Sequence, residues 1–199
     1  RQDFTLALVE SGNHENWLYT ETVLPPEQLW IAGAGHIARA VTPLAEQMDF
    51  AVTVFDDRPA MAAAEFFAPT TRLRVDHWDK LLAEAFPPVP TLGLIVTRGH
   101  QHDALVLSKW VGKPFAFLGM IGSKRKKNII FTHFMDEGIA TREQLEHVAC
   151  PVGLPIGGIS VNEIGLSIVA QLVQNRSNRR VSREAARMIS PKLSLTSTR

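Results

Sequence analysis

Residues 29–38 read LWIAGAGHIA, a short apolar strand that runs into the pattern Gly-x-Gly-x-x-Ala. A helical pattern of apolar residues follows at once, and a second apolar strand over 51–55 ends in two acids. This layout is typical of a dinucleotide-binding strand–helix–strand unit. Gly33 permits the tight turn, and Gly35 lets the backbone approach a phosphate. The start of the helix adds free N–H groups and a positive dipole end, which favour an anion.

Strand and helix patterns continue to alternate after residue 58. This order predicts an α/β fold, a Rossmann-like doubly wound parallel sheet with helices on both faces. In such a sheet, ligands bind at the carboxyl ends of the strands. Those ends supply the candidate cofactor-binding residues, which are Gly33, Gly35, His36, Asp56, Asp57, Arg58, Arg98, His100, Gly122, Ser123, Lys124 and Arg125.

Two groups among these candidates favour particular ligand chemistry. Asp56 or Asp57 would accept hydrogen bonds from a ribose, as in NAD enzymes. Arg58 is also compatible with a ligand that has a 2′-phosphate on this ribose, as NADP does. Four cations follow Ser123, and a helix that begins there places them in its first turn, against the helix dipole. A bound anion such as a phosphate would remove this conflict. A solvated basic face is the alternative.

The histidines and the single cysteine are more ambiguous. A helix predicted over 104–111 leaves His100 and His102 in a loop at a strand end. There they have a structural role, or they bind a metal with His36, act in acid–base chemistry, or hydrogen-bond a polar ligand. The sequence has no thiolate cluster and no His-Glu-x-x-His, so we predict no metal site. Cys150 is either a small buried residue or a sulfur-handling thiol.

Composition narrows the class of protein. The 199 residues suit one domain, and a single cysteine excludes an internal disulfide and favours a reducing cytoplasm. The sequence shows no signal peptide and no apolar run long enough to span a membrane, so we expect no membrane partner. The net charge is +1, but residues 176–199 hold seven Lys/Arg and one acid. The rest of the chain is therefore acidic, which disfavours nucleic acid as a partner.

Three segments are predicted. Residues 1–27 hold two strand-like runs, 4–9 and 17–23, and form an N-terminal arm or the remnant of a preceding domain. Residues 28–175 form the Rossmann-like domain, and 176–199 form a basic tail or helix. A helix that begins near residue 161 is apolar nearly all round, which predicts either burial or a subunit interface. We also expect a homo-oligomer.

Five linked motifs resemble the C-terminal Rossmann domain of the XdhC/CoxI family, the xanthine dehydrogenase accessory proteins. They read GAGHIA from residue 33, DDRP from 56, TRGH from 97, GMIGSKRK from 119 and PVGLPIG from 151. The resemblance covers roughly residues 29–175. It implies a chaperone that binds the molybdenum cofactor, in its molybdopterin or dinucleotide form, as cargo. It also implies support for sulfuration of that cofactor and its insertion into a molybdenum hydroxylase such as xanthine dehydrogenase. A cysteine desulfurase would be a further partner.

Two other functions stay open at this point. An NAD(P)-dependent oxidoreductase would use the same glycine turn but needs a substrate pocket. A nucleotide-sensing regulatory domain would bind the nucleotide without chemistry. We expect a non-catalytic cofactor chaperone rather than an enzyme, with no catalytic residue assigned.

Overall fold

The computed structural model describes residues 3–11, 14–22 and 25–189, with side chains described over 25–182. The first two described segments, β1 (Asp3–Ser11) and β2 (His14–Thr22), pair antiparallel along their full length. The strand-like run 4–9 is therefore confirmed as a strand, and so is 17–23 up to residue 22, since residue 23 lies outside the described residues. No helix of the described residues is long and apolar enough to cross a membrane.

A six-stranded parallel sheet forms the centre of the fold, and its strand order confirms the doubly wound prediction. The strands are β3 (Gln28–Ala32), β4 (Ala51–Asp56), β5 (Arg72–Val75), β6 (Thr91–Ile95), β7 (Phe117–Met120) and β8 (Val148–Ala149). They lie in the order β5-β4-β3-β6-β7-β8, and every neighbouring pair is parallel. The strand order reverses between β3 and β6, which is where doubly wound sheets bind ligands.

Helices cover both faces of this sheet. They are α1 (His36–Gln47), α2 (Trp78–Leu81), α3 (His100–Trp110), α4 (Lys124–Asp136), α5 (Arg142–Glu146) and α6 (Val161–Ile189). Side chains alternate along β3, so Leu29 and Ile31 pack in one core with α1 and α6, whereas Trp30 packs in the other with α2, α3, α4 and α5. Burial on both faces explains why the strands read as continuous apolar runs.

The beginning of the basic C-terminal segment packs on the sheet domain. Arg176 donates to the carbonyl oxygen of Met48 at 2.7 Å, and its guanidinium stacks on the ring of Phe50. Arg179 forms an ion pair with Glu27 at 2.5 Å. Helix α6 runs through residue 176 to Ile189, and the residues after it lie outside the described part. These two arginines therefore anchor α6 to the sheet domain.

Candidate functional site

The turn after β3 requires a glycine at its first position. Gly33 has φ of +107°, and a β-carbon there would lie 2.5 Å from the carbonyl oxygen of Val96 at the end of β6. Its N–H donates to the carbonyl oxygen of Phe55 at 2.7 Å, so the turn is held between β4 and β6. Any other residue would suffer both backbone strain and a clash. Gly33 is thus needed for the fold of the turn.

Gly35 has a different environment. It precedes α1, its φ of −77° suits any residue, and a β-carbon there would meet no atom of residues 25–182 within 4 Å. No side chain caps the start of α1, and its first turn contains no acid. Because the first N–H groups of a helix lack intrahelical partners, bare backbone donors face open space here. His36, the first residue of α1, is exposed beside them.

Asp56, the last residue of β4, holds the glycine turn through a hydrogen bond. Asp56 is 0% exposed and accepts hydrogen bonds from the backbone N–H of Ala34 at 2.7 Å and of Arg58 at 2.9 Å. The Arg58 guanidinium donates two more, at 2.8 and 2.9 Å. Burial raises the pKa of the Asp56 carboxyl, but these hydrogen bonds outweigh burial and hold the pKa below its usual range. Four donors fill a carboxylate's capacity, so Asp56 has no oxygen left for a ligand.

The second acid pairs across the glycine turn. Asp57 Oδ2 accepts a hydrogen bond from Arg98 Nη2 at 2.9 Å, and the side chains are 21% and 40% exposed. The same Arg98 nitrogen lies 3.0 Å from His102 Nε2. Since a guanidinium only donates, His102 Nε2 is the acceptor in this contact. Asp57 and Arg98 follow β4 and β6, which flank β3, so their ion pair bridges the end of β3.

Helix α3 begins earlier than the sequence indicates. The prediction of 104–111 is wrong at its start, because the helix begins at His100 after Gly99. Residues 100–103 are all polar, so the apolar periodicity that indicates the rest of the helix does not extend into its first turn. His100 is therefore a helical residue, exposed at the start of α3, rather than a loop residue. Exposed His36 and His100 thus begin the helices that follow β3 and β6.

The loop after β7 contains the cation-rich helix start. Ser123 caps α4 by accepting from the N–H of Lys126 at 3.2 Å. Two of the four cations are engaged, because Lys126 pairs with Asp103 and Lys127 lies 5.1 Å from the ring centroid of Phe131. The remaining two, Lys124 and Arg125, are exposed, and neither forms an ion pair within residues 25–182.

Asp103 is a residue at this edge that the sequence pattern does not identify as a candidate. Asp103 is 1% exposed and accepts from both the N–H and the hydroxyl of Thr97, at 3.0 and 2.6 Å, besides pairing with Lys126. It therefore connects the loop after β6 to the start of α4. Its only signal in the sequence is an acid directly before the helix predicted over 104–111, which is also a common position for a surface helix cap.

Cys150 lies beneath the loop after β7. It is 7% exposed, and a β-carbon on Gly122 would lie 3.6 Å from its Sγ. Burial raises the pKa of the thiol, and the charges of Lys126 and Lys127 offset this only in part. Sulfur transfer uses the thiolate, so both observations weigh against a sulfur-handling role, which stays a prediction. Within the described residues, no three His, Cys, Asp or Glu side chains cluster in a way that would hold a metal ion.

The doubly wound sheet, with a glycine turn at the point where its strand order reverses, defines a Rossmann-type domain. The sequence matches the XdhC Rossmann domain over residues 29–172, and the chain belongs to that family. The resemblance noted from the five motifs is thereby confirmed.

Several known proteins are similar to this chain. The Escherichia coli K12 protein named uncharacterized protein YqeB is 29% identical over 151 residues, which are 76% of this chain and 28% of that protein. A probable xanthine dehydrogenase subunit of Bacillus subtilis 168 is 26% identical over 161 residues, 80% of this chain and 46% of that protein. A crystal structure described as a xanthine dehydrogenase from Bacillus halodurans matches with a TM-score of 0.69 and 29% identity, over 84% of this chain and 48% of that one. The chain thus spans less than half the length of each.

Proposed function

We propose that this domain binds the molybdenum cofactor as cargo at the carboxyl edge of its sheet. In this proposal it is an accessory protein that supports cofactor sulfuration and insertion into a xanthine dehydrogenase-type molybdenum hydroxylase. A cysteine desulfurase would provide the sulfur. Membership of the XdhC Rossmann domain family supports an accessory role, as do two relatives whose names contain xanthine dehydrogenase.

The observation that carries the proposal is the open backbone at Gly35. Among the residues whose side chains are described, none lies within 4 Å of a β-carbon built there, and none caps the helix start beside it. The molybdenum cofactor is a pterin with a phosphate or a dinucleotide tail, and a helix N-terminus suits such an anion. The exposed cations Lys124 and Arg125 lie at the end of another strand of the same edge. They would contact a second anionic part of the cargo.

The experiment that tests the proposal compares two valine variants. Purified protein is mixed with cofactor released from a molybdenum enzyme, passed through a desalting column, and analysed for retained pterin by fluorescence. Gly35→Val fills the open space without straining the backbone, because φ there is −77°. We expect at least about a tenfold loss of affinity, the size of one or two lost charge-assisted hydrogen bonds.

A matched control keeps the result interpretable. Ala83→Val places the same valine side chain at an exposed position after α2, and pterin retention should not change. Circular dichroism of both variants checks that the sheet is intact. Equal retention in folded Gly35→Val protein would contradict the proposal. Retention of NAD(P) in place of pterin by the wild type would favour the oxidoreductase alternative.

A further inference from the structure

The ion pair between Asp103 of α3 and Lys126 of α4 is largely buried. Its side chains are 1% and 22% exposed. Asp103 also accepts from the N–H and the hydroxyl of Thr97, and Lys126 Nζ also donates to the carbonyl oxygen of Ile121 at 3.2 Å. Protein atoms thus satisfy both charged groups, so the pair itself is not a contact for a ligand.

The pair connects two segments that contain proposed ligand contacts. Thr97 directly precedes Arg98, and Lys126 directly follows Arg125. The glycine turn packs on the same segment, because a β-carbon on Gly33 would lie 2.9 Å from the Cα of Thr97. A continuous set of contacts therefore leads from the glycine turn through the loop after β6 to the start of α4.

Lys126 is held along its whole length. Its N–H donates to the hydroxyl of Ser123 at 3.2 Å, and a β-carbon on Gly122 would lie 2.9 Å from its Cδ. The backbone, the aliphatic stem and the ammonium group each have a contact of their own. Because desolvation offsets much of the attraction within a buried ion pair, net stability is not its main effect. Its main effect here is one fixed position for the start of α4.

We propose that Asp103 and Lys126 are positioning residues for the anion contacts of Lys124 and Arg125, an inference that rests on the proposed function. The pair holds the start of α4 at one place relative to the glycine turn. An anionic ligand bound at the open backbone of Gly35 then meets both cations already in position. Binding is tighter, because less of the site has to be ordered when the ligand arrives.

A double-mutant cycle tests positioning, because a residue that acts through Lys124 and Arg125 has no effect once these cations are removed. One variant, Lys124→Gln with Arg125→Gln, removes the cations. The other, Asp103→Asn with Lys126→Met, removes the whole pair, so the net charge is unchanged and no buried charge is left alone. The probe is pyrophosphate in calorimetric titrations at one salt concentration.

Each double variant should weaken pyrophosphate binding about tenfold, the size of one lost hydrogen bond to a charged group. All four substitutions together should also cost about tenfold, whereas a merely structural role predicts about a hundredfold, since independent effects multiply. Thr97→Val is a milder change that loses only the hydroxyl hydrogen bond to Asp103. It should weaken binding about two- to threefold, and only while Lys124 and Arg125 are present.

Glu27→Gln with Arg179→Met is the matched control. It removes another largely buried ion pair, 15% and 20% exposed, again without changing the net charge, and pyrophosphate binding should not change. Circular dichroism checks the fold of every variant. A hundredfold combined loss, no loss without the Asp103–Lys126 pair, or a wild type that does not bind pyrophosphate would overturn the positioning role. Failure of pterin retention while the cycle behaves as expected would instead overturn only the proposed cargo.

Discussion

At the scale of single residues, the two glycines of the turn have separate roles. Gly33 is constrained by its φ of +107° and by the Val96 carbonyl oxygen, whereas Gly35 is constrained by neither. We expect Gly33→Ala to lower the free energy of unfolding by about 2 kcal/mol or more, the usual cost of a strained backbone position. Gly35→Ala should change it by less than about 1 kcal/mol. Urea denaturation measures both, and equal losses would contradict this division of roles.

Asp56 makes stability depend on pH. Its folded-state pKa is depressed below the value of about 3.9 in an unfolded chain. The carboxylate therefore stabilises the fold fully above the unfolded pKa, and this contribution is lost as pH falls through the folded pKa. Asp56→Asn should cost about 3 kcal/mol at pH 7, because it leaves Arg58 without its charged partner.

The control for that prediction is the neighbouring acid. Asp57→Asn removes a partly exposed pair and should cost less than about 1 kcal/mol. Urea denaturation at pH 7 and in steps down to about pH 3 measures the difference. The gap between wild type and Asp56→Asn should narrow as the solution becomes acidic. A gap that stays constant with pH would show that the ionised form of Asp56 is not what stabilises the turn.

At the scale of elements, the start of α4 tests the second anion contact. Lys126 and Lys127 are engaged by Asp103 and Phe131, so Lys124 and Arg125 are the cations left to face a ligand. Retention of the pterin should fall as salt rises from about 0.05 to 0.3 M, because exposed charges are screened over that range. Replacing Lys124 and Arg125 by glutamine should flatten this dependence.

A double variant that also removes two positive charges, but at another place, is the control for the variant in α4. Lys109→Gln with Lys113→Gln removes two exposed cations from the carboxyl end of α3 and the turn after it, and the salt slope should persist. A slope that is unchanged in the Lys124 and Arg125 variant would identify those residues as a solvated face.

The sequence predicts features that depend on neighbouring residues better than features that depend on residues far apart in the chain. The glycine turn is visible because its requirements are local, namely a strand, two glycines and a helix within ten residues. β8 is two residues long, too short for any periodicity. The Asp103–Lys126 and Asp57–Arg98 pairs join residues far apart in the chain, so no local pattern reveals them. The candidate list therefore contains the correct strand ends but not how their side chains pair.

At the scale of the whole molecule, the described residues form a sheet whose glycine turn lies among partly exposed side chains. The strand order and glycine turn are those of dinucleotide-binding sheets. Yet the histidines that begin α1 and α3 are exposed, and the charged residues between them are paired with one another. Hydride transfer needs a nicotinamide held against a substrate, an acid–base group in reach, and exclusion of water.

We therefore expect no saturable oxidation of NADH or NADPH by this protein, measured by absorbance at 340 nm across a panel of carbonyl substrates. His100 lies at the start of α3, where its ring suits a hydrogen bond to a polar pterin. His100→Ala should reduce pterin retention and activation of the hydroxylase together. We expect a loss of about five- to tenfold, which corresponds to the binding free energy of one hydrogen bond. His77→Ala, an exposed histidine before α2 with no capping hydrogen bond, is the matched control and should alter neither. A saturable oxidation of either nucleotide that disappears in His100→Ala would make His100 an acid–base residue, and the protein a dehydrogenase in place of a cofactor chaperone.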